Sequence, residues 1–164
     1  MIKRLFIITI FLIVYLSIFS QNLGFSFQEA EKHGISIKNL DDIYQNAVHT
    51  DTSLAVFRTA DEQIIMQQEY IKLLQDFGKF LSENNFTWDK PTRCFNKIYF
   101  DSDGTIDYFL FNFLGEENEK PSKEKQKEFE RLLNLFIKDY KFALTAKTKF
   151  SQCSPTTYRP KSNN

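Results

Sequence analysis

The sequence predicts an α+β fold: a small antiparallel sheet of about three strands, covered by amphipathic helices. Four stretches carry that prediction. Cys94–Leu114, CFNKIYFDSDGTIDYFLFNFL, reads as two strands joined by an Asp-Ser-Asp-Gly turn. The stretches from Thr59 to Glu83 and from Ser122 to Tyr140 place apolar residues at helical spacing. Phe142–Phe150 alternates apolar residues with Lys-bearing ones, as an edge strand does. The chain length suits one domain.

The turn has a chemical basis. Asp101 can accept a backbone N–H two residues on, Asp103 tolerates turn geometry, and Gly104 supplies the positive φ of a type I turn followed by a bulge. Beyond it, Phe109, Phe111 and Phe113 share one face, and Tyr108, Leu110 and Asn112 the other. Before it, Ile98 and Phe100 alternate with Lys97 and Tyr99. The three-Phe face must be buried. A calcium loop does not fit the acidic turn. With Gly104 at the loop's sixth position, Tyr99 and Leu110 occupy its first and last ligand positions, and neither carries a carboxylate. No metal and no cofactor is expected.

The helices follow from their caps and stripes. Leu40, Ile43, Tyr44, Ala47 and Val48 predict a short helix over Leu40–His49, with Asn39 as its cap and Asp41 and Asp42 at the positive end of its dipole. Leu54–Phe57 is a short apolar run that fits either a strand or a link between helices. Thr59-Ala60-Asp61-Glu62 matches a capping box. The long helix behind it carries a stripe of Met66, Tyr70, Leu73, Leu74, Phe77, Phe80 and Leu81, expected to face the core. Gly78 lies inside this helix at a cost of about 1 kcal/mol relative to Ala, and reads as a place of close packing. Trp88, in the connector that follows, reads as a plug at the edge of the core. Ser122 caps the last helix, whose first turns are charged and solvated and whose Phe129, Leu132, Leu133, Phe136, Ile137 and Tyr140 face inward.

The ends set the compartment. Lys3 and Arg4, the apolar run Leu5–Phe19 and the small Ser20 make residues 1–20 a secretory signal peptide. The run is shorter than the roughly 20 residues of a spanning helix, so cleavage is expected rather than a retained anchor. The mature chain is then periplasmic or secreted, with no membrane attachment. Residues 21–36 read as a loose lead-in, 37–153 as a single domain, and 154–164, with Pro155 and Pro160, as a disordered tail. In an exported chain Cys94 and Cys153 read as a disulfide, with two buried free thiols as the rival. The bridge would close a loop of about 60 residues and contribute on the order of 4 kcal/mol.

Function is approached by exclusion. Lys plus Arg and Asp plus Glu balance at 21 each, and loss of Lys3 and Arg4 leaves the chain slightly acidic. That balance gives no footprint for nucleic acid and no basic patch for anionic lipid. No Gly-x-Ser-x-Gly, His-Glu-x-x-His or phosphate loop is present, and the only imidazoles are His33 and His49. Asp51 stands beside His49 but at i+2, where side chains diverge on a helix. No catalytic residues are assigned and no enzyme is expected; a pair of carboxylates working as acid and base is the enzymatic alternative.

The stretch IYFDSDGTIDYFLFNF followed by FERLLNLFIKDYKF, behind a signal, resembles the C-terminal domain of TonB-like periplasmic proteins. The resemblance covers less than half of the chain and lacks that family's Pro-rich linker, since only four Pro occur. It implies a strand-turn-strand-helix-strand unit that docks a partner's peptide by strand addition. The expected function is therefore a non-enzymatic exported module that binds a protein or peptide. The alternative is a carrier of a small apolar ligand or lipid, with some of the 18 Phe lining a cavity under the Phe109–Phe113 face.

Overall fold

The computed structural model describes residues 23–160. The expected signal, residues 1–20, lies outside them. The elements are β1 (Leu23–Ser26), α1 (Phe27–Lys32), α2 (Ile37–Ile43), β2 (Gln45–Asn46), a 3-10 turn (Thr52–Leu54), α3 (Ala60–Glu83), β3 (Thr92–Phe100), β4 (Ile106–Phe113), α4 (Lys123–Asp139) and β5 (Phe150–Tyr158). The strands form one five-stranded sheet in the order β1-β4-β3-β5-β2. The central β3 is antiparallel to β4 and β5, while β1 runs parallel to β4 and β2 parallel to β5.

This corrects the expected three-stranded antiparallel sheet. The fold is α+β, but its sheet is mixed and has five strands. The added strands, β1 and β2, are 4 and 2 residues long, too short to show a period-2 pattern. Their pairing is with strands distant in the chain, which local composition does not encode.

The hairpin forms as its chemistry requires. Gly104 adopts φ +85° and its N–H donates to the Asp101 carbonyl at 3.0 Å. A Cβ there would also come within 2.6 Å of the Phe142 carbonyl oxygen, so the turn needs glycine twice over. Asp101 Oδ1 accepts from the Ser102 N–H rather than from residue 103, and Asp103 Oδ1 accepts from the Thr105 N–H at 2.9 Å. A bulge after Tyr99 leaves Asp107 unpaired, so Ile106 and Phe109 both reach the same core.

The sheet has two unlike faces. One is covered by α3 and α4 and buries Phe77, Phe109, Phe111, Phe113, Phe129 and Phe136 together. The other is covered by α1 and α2, with Ala30, Leu40 and Tyr44 over Tyr99 and Leu110. That second face is partly polar. The Tyr44 hydroxyl donates to Asp107 at 2.6 Å, Lys149 bridges Asp107 (2.7 Å) and Asp101 (2.9 Å), and Lys97 pairs with Asp41 at 2.6 Å. Burial, together with the hydrogen bond to Asp107, pushes the Tyr44 phenol far above its usual value.

Several boundaries move. Thr59 and Glu62 form the full capping box and Ser122 caps α4, both as read from sequence. However, α2 is capped by Ser36 instead of Asn39 and ends at Ile43, because Tyr44 turns the chain into β2. The lead-in is not loose: it holds β1 and α1. The last strand is not Phe142–Phe150. Residues 141–149 bend around the Asp-Gly turn with one bridge, Thr105 to Lys141, and the strand is Phe150–Tyr158, half of it expected to be tail.

The expected Cys94–Cys153 disulfide is also overturned. Both cysteines are free, Cys94 buried and Cys153 exposed. Cys94 pairs across the ladder with Thr156, whereas Cys153 stands opposite Lys97. Three residues of offset separate them by about 10 Å along the strands and place them on opposite faces of the sheet. No rotamer closes that geometry.

Candidate functional site

A groove between α3 and β5, with a volume of about 680 Å3, is left unfilled by the core. Its helix wall is Tyr70, Ile71, Leu74, Gly78 and Leu81; its far end is Phe86 and Trp88; its strand wall runs from Gln152 to Arg159. Tyr70 neighbours Ser154, and Trp88 stacks on Tyr158 with ring centroids 4.8 Å apart, so helix and strand run side by side in the same direction. From Gln67 to Ser82 the groove spans about 22 Å at the helical rise.

Each wall follows from local sequence. In α3 the buried stripe Met66, Tyr70, Leu73, Phe77 and Leu81 seats the helix on the core. Its flank, Ile71, Leu74 and Gly78, is left over β5, and Ile71 stays 54% exposed. The stripe is therefore core along one line and groove wall along the next. Gly78 does not serve close packing: a Cβ there would meet nothing within 4 Å. Its missing side chain widens the groove. Asn85, at φ 61°, ends the helix in the left-handed cap conformation, and the Phe86 N–H returns to the Leu81 carbonyl at 2.9 Å. That turn brings Phe86 and Trp88 across the end of the groove. Trp88 does plug the core edge, against Phe86, Phe113 and Phe129, while its other surface lines the groove.

β5 contributes alternation. Phe150, Gln152, Ser154, Thr156 and Tyr158 point to the α3 side, and Cys153, Pro155 and Thr157 to the other. β2 pairs only with Phe150 and Ser151, so no strand among the described residues covers β5 beyond Ser151. Ala47 N–H donates to the Ser151 carbonyl at 2.8 Å, which fixes the outward direction. By alternation the outward backbone groups beyond it belong to Cys153, Pro155 and Thr157. Pro155 offers a carbonyl but no N–H.

The floor is polar in two places. The Tyr70 and Tyr158 hydroxyls are buried without a hydrogen-bond partner among the described residues, at 4% and 7% residue exposure. Burial drives both phenols well above their usual value. Ser154 beside Tyr70 and Asn96 beside Tyr158 temper the rise without reaching hydrogen-bond geometry. Each unpaired hydroxyl costs roughly 1–3 kcal/mol. Asn96 is fully buried and donates to Thr156 Oγ1 at 3.1 Å. Cys94 lies beneath, its thiol pushed up by burial, so it stays protonated at neutral pH.

The other sequence candidates lie elsewhere. His33 stacks on Phe25 at 4.9 Å, and His49 Nδ1 accepts the Asp51 N–H at 3.0 Å; neither borders the groove. The Asp51 carboxylate instead accepts from Ser53 at 3.0 Å. The acidic turn is occupied by lysines, Asp103 by Lys141 at 2.6 Å and Asp101 by Lys149 at 2.9 Å, and these bonds hold both carboxyls below their usual range. Among the described residues no group of three or more His, Cys, Asp or Glu is placed to hold a metal ion. Nor is any helix among them long and apolar enough to cross a membrane. The Phe109–Phe113 face holds no cavity-lining residue in the groove; it is filled by Phe77, Phe129 and Phe136. Comparison with family models, with curated proteins and with solved structures finds no match to this chain.

Proposed function

We propose that this chain is an exported, non-catalytic binding module that holds a small apolar ligand in the groove between α3 and β5. The observation that carries this reading is the groove itself, walled by Tyr70, Ile71, Leu74, Leu81, Phe86 and Trp88 and kept open by Gly78. Its volume of about 680 Å3 falls in the range of small-molecule sites. The cavity is not the one expected under the Phe109–Phe113 face, but the ligand chemistry is the same.

A peptide added to the edge of β5 is the second reading. The unpaired edge supports it, as does the hairpin-helix-strand order that the TonB-like resemblance implies. Pro155 weighs against it. Proline in the middle of an edge removes a donor and is a common way to deter pairing.

Trp88 is the only Trp, and it lines the groove, so it reports occupancy directly. Titration of the purified chain with 1-hexadecanol should give a saturable change in Trp88 emission. Gly78→Leu, which fills the groove, should weaken binding more than about tenfold, or 1.4 kcal/mol, with an unchanged circular dichroism spectrum. No saturable change, or equal binding by the two proteins, contradicts the reading. Pro155→Thr separates the two readings: it restores an edge N–H and should strengthen binding of an extended peptide more than binding of hexadecanol.

A further inference from the structure

The groove's walls are unlike in charge along their length. Of its lining residues, Arg159 alone carries a charge at neutral pH. Gln67, Gln75 and Gln152 are neutral, and the Tyr70 and Tyr158 phenols are held protonated by burial. Arg159 stands at one end, directly after the last residue of β5, beside the Trp88–Tyr158 stack. It is exposed and has no ion pair or hydrogen bond to any described residue. Lys125 and Lys90, also near this end, are engaged, with Asp89 and with the Asn118 carbonyl, each at 2.6 Å, and Arg93, opposite Thr157, is exposed on the sheet face turned away from the groove. A single free guanidinium at the mouth of a long apolar trough is matched by an occupant with one anionic end and one apolar body.

We infer that the groove's ligand is a long-chain carboxylate, its hydrocarbon lying along α3 between Leu74 and Trp88 and its carboxylate at Arg159. This inference rests on the apolar-ligand reading above and narrows it. The guanidinium presents a planar fork that donates to both carboxylate oxygens at once, which a lysine does not. Phe86, Trp88 and Leu81 bury the first methylenes next to that head, and Gly78 leaves room for the chain to continue toward Tyr70. The long dimension of about 22 Å suits an extended single chain better than a compact ring system. A branched or two-chain lipid would have to leave the trough through the open side over β5.

Three probes separate the possibilities: hexadecanoate, 1-hexadecanol and methyl hexadecanoate, each below its aggregation threshold, read by Trp88 emission. The wild-type chain should bind hexadecanoate roughly fivefold more tightly than the alcohol or the ester, the scale of a partly solvated ion pair. The preference should shrink as salt is raised. Arg159→Gln should remove it, lowering affinity for hexadecanoate more than for the alcohol, and Arg159→Lys should restore only part of it. Equal affinity of wild type for all three probes, or a preference that survives in Arg159→Gln, overturns the carboxylate assignment and leaves the apolar groove standing. Failure of all three to bind overturns both.

Discussion

The two edges of the sheet are finished in opposite ways. At the β1 edge, α4 lies directly against the strand. Asn134 accepts the Gly24 N–H at 2.9 Å and donates to the Gly24 carbonyl at 2.8 Å, so a side chain replaces the missing strand. Packing there is tight: a Cβ on Gly24 would come within 2.8 Å of Leu133. At the β5 edge no strand or side chain among the described residues takes that place beyond Ser151, α3 stands off, and Gly78 faces empty space. The same five-stranded sheet thus has one edge sealed by a helix and one edge beside a groove. The difference teaches where to look for function: the sealed edge spends its polar groups on stability, and the open edge leaves surface for an occupant.

Substitutions can break this comparison from either side. The largest effect should come from Asn134→Ala. It leaves the Gly24 N–H and C=O without partners at a packed edge, at a cost of roughly 1–3 kcal/mol for each buried group. A lower urea midpoint and loss of amide protection over Leu23–Ser26 are expected; an unchanged midpoint would show that the edge is not sealed by Asn134. Gly78→Ala should do the reverse. With no neighbour to clash and a helical position regained, it should stabilise the fold by about 0.5–1 kcal/mol. Destabilisation would mean that Gly78 packs closely after all.

The smallest effect is pH-dependent and belongs to the hairpin turn. The hydrogen bond from Lys141 lowers the Asp103 pKa, and that from Lys149 lowers the Asp101 pKa. A carboxyl with a depressed folded value adds stability above the unfolded value, near pH 3.9, and loses it as pH falls through the folded value. Asp103→Asn should therefore be less stable than wild type at pH 6, with the gap closing toward pH 2. Asp103 and Lys141 are both solvent-exposed, so the gap is small. A gap that widens on acidification would reverse the assignment.

Much of this architecture was legible where it is local. The Asp101–Gly104 turn, the Phe109–Phe113 face, the Thr59–Glu62 capping box and the Ser122 cap all rest on interactions within a few residues, and all four stand in the structure. What was missed depends on distant partners. β1 acquires its place only by pairing with β4 and by meeting Asn134. β5 was hidden by its own composition: Ser154, Thr156 and Thr157 look like tail because one of its faces is solvated and the other borders a groove instead of the core. Its alternation between Phe150 and Tyr158, with two adjacent Thr, was the signal available. Missing β5 also shaped the cysteine expectation, since the parity that separates Cys94 from Cys153 exists only once both lie in paired strands. For the groove, sequence exposed one wall, the α3 stripe and Trp88, and concealed the other.

The most direct test is where a ligand lands. In a titration of the isotopically labelled chain with hexadecanol, followed by backbone amide shifts, changes should concentrate in residues 67–88 of α3 and its following turn and in residues 152–159 of β5. Residues of the second face, such as Leu40, Tyr99 and Leu110, should stay in place. Shifts centred on that second face, or spread evenly without saturation, would contradict a binding groove between α3 and β5.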